Sequence, residues 1–124
     1  MTPFGQYLEA VRRSRKLQQT QLAAELGISS CYVSALEKGR KVPAKPDLLD
    51  KLTDVLKLDR REQNILLKSF QQSKKNLKIP ESAGPAEYIF LHELWGHLGA
   101  LTADQLKGMS LFLKIGKASQ RKFD

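Results

Sequence analysis

Residues 19–39 read QTQLAAELGISSCYVSALEKG, and this stretch decides how the rest of the chain is organised. Apolar residues recur at helical spacing in each half of it, and they are Leu22, Ala23, Leu26, Val33 and Leu36. Each half is therefore expected to form a short helix with one narrow apolar stripe. Such a helix is stable in water only when its stripe packs against a neighbour.

A sharp break separates the two short helices at Gly27. This glycine follows the first stripe where a helix commonly ends with a positive φ, and Ser29 offers an oxygen to the free amides of the next helix. Two helices joined by about three to four residues cross steeply, as in the helix-turn-helix that places a helix in the DNA major groove. The pattern alone is equally compatible with an ordinary corner inside a helical bundle.

The second helix, predicted over residues 30–38, carries a distinctive exposed face. Between its apolar positions it has only small or hydrogen-bonding side chains, and these are Ser30, Cys31, Tyr32, Ser34 and Ala35. Cations follow at its end, and these are Lys38, Arg40 and Lys41. Small polar side chains let a helix approach base edges, and cations suit phosphate contact. The composition therefore favours a DNA-reading helix over a bundle corner.

Three short motifs at fixed spacing carry a family resemblance. They are Leu26-Gly27-Ile28-Ser29, Tyr32-Val33-Ser34 and Leu36-Glu37-Lys38-Gly39, preceded by Gln19 and followed by Pro43. With them, the stretch from about Phe4 to about Ser73 resembles the XRE type of lambda-repressor-like DNA-binding domain. One departure is Gln18, where the family usually has a Ser or Thr cap. The resemblance implies that Gln19 contacts the DNA backbone and can brace a base-contacting residue.

The predicted contacts with double-stranded DNA fall into two sets. For base edges we predict the outward-facing residues of the second helix, namely Ser30, Cys31, Ser34 and Ala35. For phosphates we predict Gln19, Tyr32, Lys38, Arg40 and Lys41. Ala35 offers only an apolar contact, for example with a thymine methyl group.

The charge distribution supports this assignment. The chain has 124 residues, a net charge of +8 and a pI near 9.7. Residues 1–45 hold eight Lys or Arg against three Asp or Glu, residues 46–78 eight against five, and residues 79–124 five against five. The excess lies where the helix-turn-helix lies, as phosphate attraction requires. Four cations close the first helix, where they suit its dipole or DNA phosphates: Arg12, Arg13, Arg15 and Lys16.

These patterns together predict an all-α fold. A first helix over about Phe4–Lys16, a fourth helix capped by Asp47 and a fifth opened by Asp59 complete a five-helix lambda-repressor-like DNA-binding domain. The predicted organisation is the helix-turn-helix domain over 1–76, a linker over 77–85, a C-terminal helical pair over 86–116 and a flexible tail over 117–124. Within the pair, the first apolar segment extends to about Leu101 and the second helix ends near Gly116.

The C-terminal pair is more apolar than a finished five-helix domain needs. We expect it to mediate a homodimer, because a two-fold symmetric operator calls for two reading helices one DNA turn apart, ~34 Å. Two alternatives remain open. In the first, the protein is an antitoxin whose helix-turn-helix represses its own operon while the C-terminal pair masks a partner toxin. In the second, the pair forms a ligand pocket that switches DNA affinity and is lined by Phe90, Trp95, Met109 and Phe112.

Other function classes find little support in the sequence. His92 and His97 are five residues apart, whereas the helical zinc motif of metalloproteases needs a separation of four. One cysteine provides neither a disulfide nor a cysteine cluster. The chain lacks a bilayer-length apolar run and an N-terminal signal pattern. We expect a cytoplasmic protein that is not an enzyme, with no metal or cofactor and no membrane contact.

Overall fold

The computed structural model describes residues 1–123, and it describes side chains as far as Ile115. In this part of the chain the regular secondary structure is helical, and it comprises α1 (Pro3–Ser14), α2 (Gln19–Leu26), α3 (Ser30–Glu37), α4 (Asp47–Leu56), α5 (Arg60–Gln72), α6 (Pro85–His97) and α7 (Ala103–Phe123). The prediction of an all-α fold is confirmed. The chain divides into two compact units, Met1–Leu77 and Lys78–Asp124.

The first unit, α1 to α5, is built around one apolar core. α1 packs against α3 and α5, while α2 packs against α3 and α4. Each helix contributes its apolar stripe, and the most deeply buried residues are Phe4, Leu8, Leu22, Val33, Leu36, Leu52 and Leu56. The two stripes of the 19–39 stretch are thus buried against neighbouring helices, as their narrowness requires.

Gly5 permits the closest approach between α1 and α3. A Cβ atom at this position would lie 2.4 Å from the Leu36 carbonyl oxygen and 2.5 Å from that of Glu37. These distances are far below van der Waals contact, so a larger residue would push the two helices apart. The C-terminal end of α3 therefore packs directly against the first turn of α1.

Side-chain caps define where several helices begin. The Thr2 hydroxyl accepts from the Gly5 N–H at 3.0 Å, and the Ser29 hydroxyl accepts from the Tyr32 N–H at 3.1 Å. At α2, the Gln21 side chain accepts from the Gln18 N–H at 2.8 Å. This hydrogen bond stabilises the start of α2, although Gln18 replaces the family's usual Ser or Thr.

Asp59 caps α5 as the sequence predicts, and Thr102 caps α7 in the same way. The Asp59 carboxylate accepts from the Glu62 N–H at 2.8 Å, and Glu62 accepts from the Asp59 N–H at 3.1 Å. Thr102 and Gln105 make the same reciprocal pair at 3.1 and 2.9 Å. Both capping boxes were visible in the sequence because they depend on residues three apart.

Helix boundaries of the first unit differ from the sequence prediction at α1, α3 and α4. α3 ends at Glu37 rather than at Lys38, which is its C-cap. α1 ends at Ser14 rather than at Lys16, because Lys16 has a φ of 57°, which is incompatible with a right-handed helix. Asp47 is the first residue of α4 and not its N-cap, a position that Pro46 occupies. The fixed φ of Pro46 suits this turn, and the Asp47 carboxylate still lies in the positive first turn.

The helices of the second unit also differ in extent from the prediction. α6 ends at His97, four residues before Leu101, because Leu98 takes an extended conformation and Gly99 follows with a φ of 95°, outside the right-handed helical region. α7 continues past Gly116 to Phe123, since one glycine costs a helix only about 1 kcal/mol and the following residues are good helix formers. The predicted flexible tail over 117–124 includes Asp124, which lies outside the described residues.

Large apolar side chains of the second unit are widely exposed. α6 buries none of its residues, and the exposed apolar residues on α6 and α7 include Tyr88, Ile89, Phe90, Leu91, Trp95, Leu106, Leu111, Phe112, Leu113 and Ile115. Trp95 is 74% exposed and Phe112 is 78% exposed. An apolar surface of this extent is typical of an interaction site.

Candidate nucleic-acid interface

α3 has one side buried in the first unit and one side accessible. Val33, Leu36 and Glu37 are at most 1% exposed, so they fix the rotation of the helix about its axis. Residues at the other helical positions are exposed or half-buried. The helix that the sequence assigns to DNA reading is thus held rigidly along one edge and accessible along the other.

The four residues predicted to contact bases all lie outside the core. Cys31 is exposed, and its thiol is free. Ser30, Ser34 and Ala35 are half-buried. These side chains are short, so nothing on this side of α3 extends far from the helix backbone. A surface of this kind suits close approach to base edges.

The basic loop after α3 folds back onto the end of the helix. The N–H groups of Arg40 and Lys41 both donate to the Ala35 carbonyl, at 2.9 and 3.3 Å. Gly39 makes this reversal possible, because it takes a φ of 76°. Lys38 and the two loop cations are exposed, so three of the predicted phosphate contacts lie together beside the end of α3.

Tyr32 is half-buried and helps to position Lys41. The Lys41 ammonium lies 5.9 Å from the centre of the Tyr32 ring, within the range of a cation–π interaction. The two residues, both predicted to contact phosphate, are therefore adjacent. Their contact restricts the lysine to one side of the loop.

Gln19, the remaining predicted phosphate contact, belongs to a network that reaches the core. Its Nε2 donates to Glu37 Oε1 at 3.0 Å. Glu37 also accepts from Arg12, from Nε at 2.6 Å and from Nη2 at 3.0 Å, in a two-pronged ion pair. Arg12 Nη1 donates to the Leu17 carbonyl at 2.8 Å. Gln19, at the start of α2, is thus positioned by residues of α1 and α3.

The Arg12–Glu37 pair is almost completely buried, with residue exposures of 8% and 1%. The hydrogen bond to Glu37 raises the pKa of Arg12 above its ordinary value, so the guanidinium keeps its charge. Buried charges are tolerated only when paired and hydrogen-bonded in this way. The pair joins the end of α3 to the last turn of α1.

The structure gives the arginines of the basic cluster at the end of α1 partners within the first unit, which agrees with a structural role, while contact with DNA phosphates stays a prediction. Arg12 is occupied by Glu37, and Arg13 pairs with Glu9 at 2.7 Å. The third arginine of the cluster, Arg15, donates from Nε to the Leu56 carbonyl at 2.9 Å. All three arginines therefore have partners within the first unit.

Arg15 also forms an ion pair with Glu62, at 2.9 Å from Nη2 to Oε1. Hydrogen bonding to Arg15, and then to the Asp59 backbone, lowers the pKa of Glu62. The same hydrogen bond raises the pKa of Arg15. The pair ties the end of α1 to the start of α5, which is a structural role.

Sequence reasoning missed the buried network, although a signal was present. Arg12 follows Leu8 by four residues and Glu37 follows Val33 by four, so each charged residue falls on an apolar stripe. Opposite charges at stripe positions of two helices that pack together indicate a buried pair. The assignment of Arg12 to the helix dipole or to DNA phosphates overlooked this spacing.

A second missed feature lies at the end of α5. The buried Ser73 hydroxyl accepts from the Phe4 N–H at 2.9 Å, and so binds the end of α5 to the start of α1. Two residues later, Lys75 Nζ donates to the Gly39 carbonyl at 3.0 Å. The end of α5 therefore lies next to the loop that follows α3.

His92 and His97 are exposed on α6, and the described residues include no group of three or more potential ligands placed to hold a metal ion. Among the described helices, none combines the length and apolar character that crossing a bilayer requires.

Comparison with known proteins agrees with this geometry. A family model described as a helix-turn-helix domain matches residues 3–64, which is half of the chain. An uncharacterized HTH-type transcriptional regulator of Bacillus subtilis, RghRB, is 48% identical over 58 residues, covering 47% of this chain and 42% of that protein. The HTH-type transcriptional repressor RghR of the same organism is 40% identical over 58 residues, covering 47% and 43%.

The aligned region spans less than half the length of either relative. No solved structure gave a significant match to the chain. The matched residues contain α1 to α4 and the first turn of α5, and hence the whole of the candidate interface on α2 and α3. The resemblance to the XRE type of lambda-repressor-like domain is thus confirmed, and the chain belongs to the helix-turn-helix domain family.

Proposed function

We propose that this chain is a sequence-specific, DNA-binding transcriptional regulator that acts as a repressor and binds a palindromic operator as a dimer. The observation that carries the proposal is the accessible side of α3, where short side chains stand beside three exposed cations. Transcription in bacteria takes place in the cytoplasm, so the proposal places the protein there. The proposal assigns no catalytic group or cofactor.

In this proposal α3 enters the major groove, with its N-terminal residues leading. Ser30, Cys31 and Ser34 present hydroxyl and thiol groups to base edges, and the Ala35 methyl contacts a thymine methyl. Gln19 contacts a phosphate at the start of α2. Its amide nitrogen already donates to Glu37, so the ion pair with Arg12 fixes the orientation of the amide before DNA binds.

The cations after α3 supply affinity without sequence preference. Lys38, Arg40 and Lys41 lie on exposed backbone beside the reading helix, where the DNA strand that borders the groove would pass. Tyr32 contributes its hydroxyl to a phosphate and supports Lys41 with its ring. Each phosphate contact of this kind releases bound counterions, so binding should weaken steeply with salt.

Two substitutions test the orientation of α3. Ser34→Arg should alter or abolish the preferred sequence, since it places a long donor among base edges. Lys41→Ala should weaken binding to every duplex and lower the salt slope by about one. Selection from a random DNA pool measures the first effect, and gel shifts over a salt series measure the second. If Ser34→Arg keeps both affinity and preferred sequence, α3 is not the reading helix.

A control for both substitutions is Lys51→Ala. Lys51 is exposed on α4, three residues after Leu48. The proposal gives it no contact with DNA. This variant should bind the selected sequence with wild-type affinity and salt slope. A loss equal to that of Lys41→Ala would mean that total charge, and not the position of Lys41, determines affinity.

The second unit is proposed as the dimer interface. Its apolar residues on α6 and α7 are exposed, and a groove of about 500 Å³ between the two helices is lined by residues such as Phe90, Leu98 and Phe112. Residues 79–124 carry equal numbers of acidic and basic residues, so two copies can meet there without charge repulsion. Residues 1–78, with an excess of eight positive charges, are less suited to self-association.

Light scattering at several concentrations tests the dimer. We expect the wild type to have twice the chain mass and Phe112→Lys to have the mass of one chain. Phe112→Lys should also lose affinity for the full palindrome more than for a half-site. The control is Lys107→Glu, which changes an exposed polar residue of the same helix. A wild-type monomer at 100 μM would refute the dimer and favour the antitoxin alternative.

The repressor role is supported by one relative, the HTH-type transcriptional repressor RghR, and is tested by transcription in vitro. A promoter that overlaps the selected operator should give less transcript as the protein is added. The Ser34→Arg variant should leave the transcript level unchanged. A rise in transcript with wild-type protein would identify an activator instead.

A further inference from the structure

A cavity of about 370 Å³ lies between the loop after α3 and the end of α5, within the first unit. Three cations line it, Arg40, Lys74 and Lys75, and Asn76 adds an amide. Phe70 contributes apolar surface. Among the described residues that line the cavity, none is acidic. It is therefore a concave site with a strongly positive rim.

Two hydrogen bonds keep the end of α5 close to the loop that carries Arg40. Lys75 Nζ donates to the Gly39 carbonyl at 3.0 Å, and Gly39 directly precedes Arg40. The buried hydrogen bond between Ser73 Oγ and the Phe4 N–H, at 2.9 Å, fixes the end of α5 just before Lys74. An ammonium group has three donors, so Lys75 keeps two for a ligand.

Three like charges around one cavity repel one another unless an anion lies among them. A phosphate group fits best, because its oxygens accept hydrogen bonds from ammonium and guanidinium groups alike. The position of the cavity indicates the source of the phosphate. Arg40 follows the end of α3, where a helix that enters the major groove with its N-terminus first leads back out to the sugar–phosphate backbone.

We propose that Lys74 and Lys75, with Arg40, bind one phosphate of the DNA backbone outside the base pairs that α3 reads. This inference rests on the proposed function. The site extends the DNA contact from the helix-turn-helix itself to the end of α5, beyond residues 3–64 that match the family model. It lies immediately before the segment that leads to the second unit.

The test compares two double variants with equal change of charge. Lys74→Gln with Lys75→Gln removes two positive charges at the proposed site. Arg60→Gln with Arg61→Gln removes two at the other end of the 13-residue helix α5, about 20 Å away. Glutamine removes the charge but stays polar and has a similar helix propensity, and thermal unfolding by circular dichroism should confirm that both variants remain folded.

On a duplex that extends several base pairs beyond the selected sequence, the lysine variant should bind about fivefold more weakly at 0.15 M salt. The factor follows from the loss of one phosphate contact. Such a contact releases about 0.9 counterion, so its contribution to the binding constant rises about fivefold when the salt concentration falls from 1 M, where it contributes nothing, to 0.15 M. The slope of log K against log salt should fall by about one. The arginine variant should keep the wild-type slope and affinity.

Changing the length of the duplex distinguishes the contribution of this site to DNA affinity from that of the reading helix. On a duplex trimmed to the base pairs that α3 contacts, the lysine variant and the wild type should bind equally, because the flanking phosphate is missing. The inference is overturned if the lysine variant matches the wild type on the long duplex, or if both double variants lose affinity alike.

A second arm asks whether the cavity takes a free anion instead. Inorganic phosphate at 20 mM that stabilises the wild type but not the lysine variant, with equal DNA affinity for both, would overturn the assignment to DNA. Failure of the proposed function would look different, since the wild type would then select no sequence from a random pool. The salt slopes on random DNA would still reveal whether the lysines contact a backbone phosphate.

Discussion

Glu37→Gln is expected to destabilise the first unit severely, because it breaks a buried ion pair and leaves the positive charge of Arg12 buried without its partner. Glu37 is 1% exposed and holds Arg12 through two hydrogen bonds, of 2.6 and 3.0 Å. Glutamine has nearly the same volume, so packing is preserved while the negative charge is lost. Removing one partner of a buried pair costs about 3–5 kcal/mol, since the remaining charge stays desolvated and unpaired.

Urea denaturation followed by circular dichroism measures this loss. A small domain has a stability of roughly 5 kcal/mol or more and a slope of about 1.5 kcal/mol per molar urea. The midpoint should therefore fall by about 2–3 M, or the first unit should be unfolded without urea. Replacing both residues, as Arg12→Met with Glu37→Leu, should recover at least half of the loss because no buried charge remains.

The matched control is Glu9→Gln, which breaks the ion pair between Glu9 and Arg13. That pair has a comparable length of 2.7 Å, but the Arg13 side chain is 70% exposed. Exposed pairs contribute only about 0.3–0.5 kcal/mol in helices, so the midpoint should hardly move. If Glu37→Gln costs no more than Glu9→Gln, burial does not determine the strength of these pairs and our account of the network is wrong.

Three other predictions concern the first and second units. Gly5→Ala should lower the free energy of unfolding by about 1–3 kcal/mol, since the new methyl would overlap carbonyl oxygens of α3; thermal unfolding would show this, and an unchanged melting temperature would contradict it. The ion pair of Arg15 with Glu62 should stabilise the fold at neutral pH and fade as the pH falls below about 4.3, because the pKa of Glu62 is lowered in the folded state and its unfolded value lies near there. Acid titration of Glu62→Gln should accordingly show a smaller loss of stability between pH 5 and pH 3 than the wild type, and an equal loss would contradict the assignment. Trp95→Lys should reduce the fluorescence of a hydrophobic dye bound to the second unit, since the apolar Trp95 side chain is 74% exposed. The control is His92→Lys, which replaces an exposed polar residue of the same helix and should leave the dye fluorescence unchanged.

Local signals in the sequence predicted most of the fold. The break at Gly27, the cap at Ser29 and the capping box at Asp59 depend on residues within one helical turn, and all three appear in the structure. Boundaries were less predictable where the backbone decides them. Lys16 takes a left-handed conformation that its residue type does not favour, and this ended α1 early.

The candidate site was predicted in part. The short residues of α3 and the cations after it lie outside the core, so their accessibility agrees with the sequence interpretation, and their contacts with DNA stay a prediction. Residues brought together from distant positions were not predicted. Glu37 and Arg12 are 25 residues apart, and Lys75 and Gly39 are 36 apart, so no local pattern joins them.

The network from Arg12 through Glu37 to Gln19 has a consequence for the speed of DNA association. Since these groups are hydrogen-bonded in the protein alone, α2 and α3 are already in one fixed arrangement when the first unit meets a duplex. No folding step then needs to follow the encounter, and the association rate should be governed by diffusion and by the positive charge of residues 1–78. In stopped-flow experiments we therefore expect a single concentration-dependent phase whose rate constant falls as salt is added.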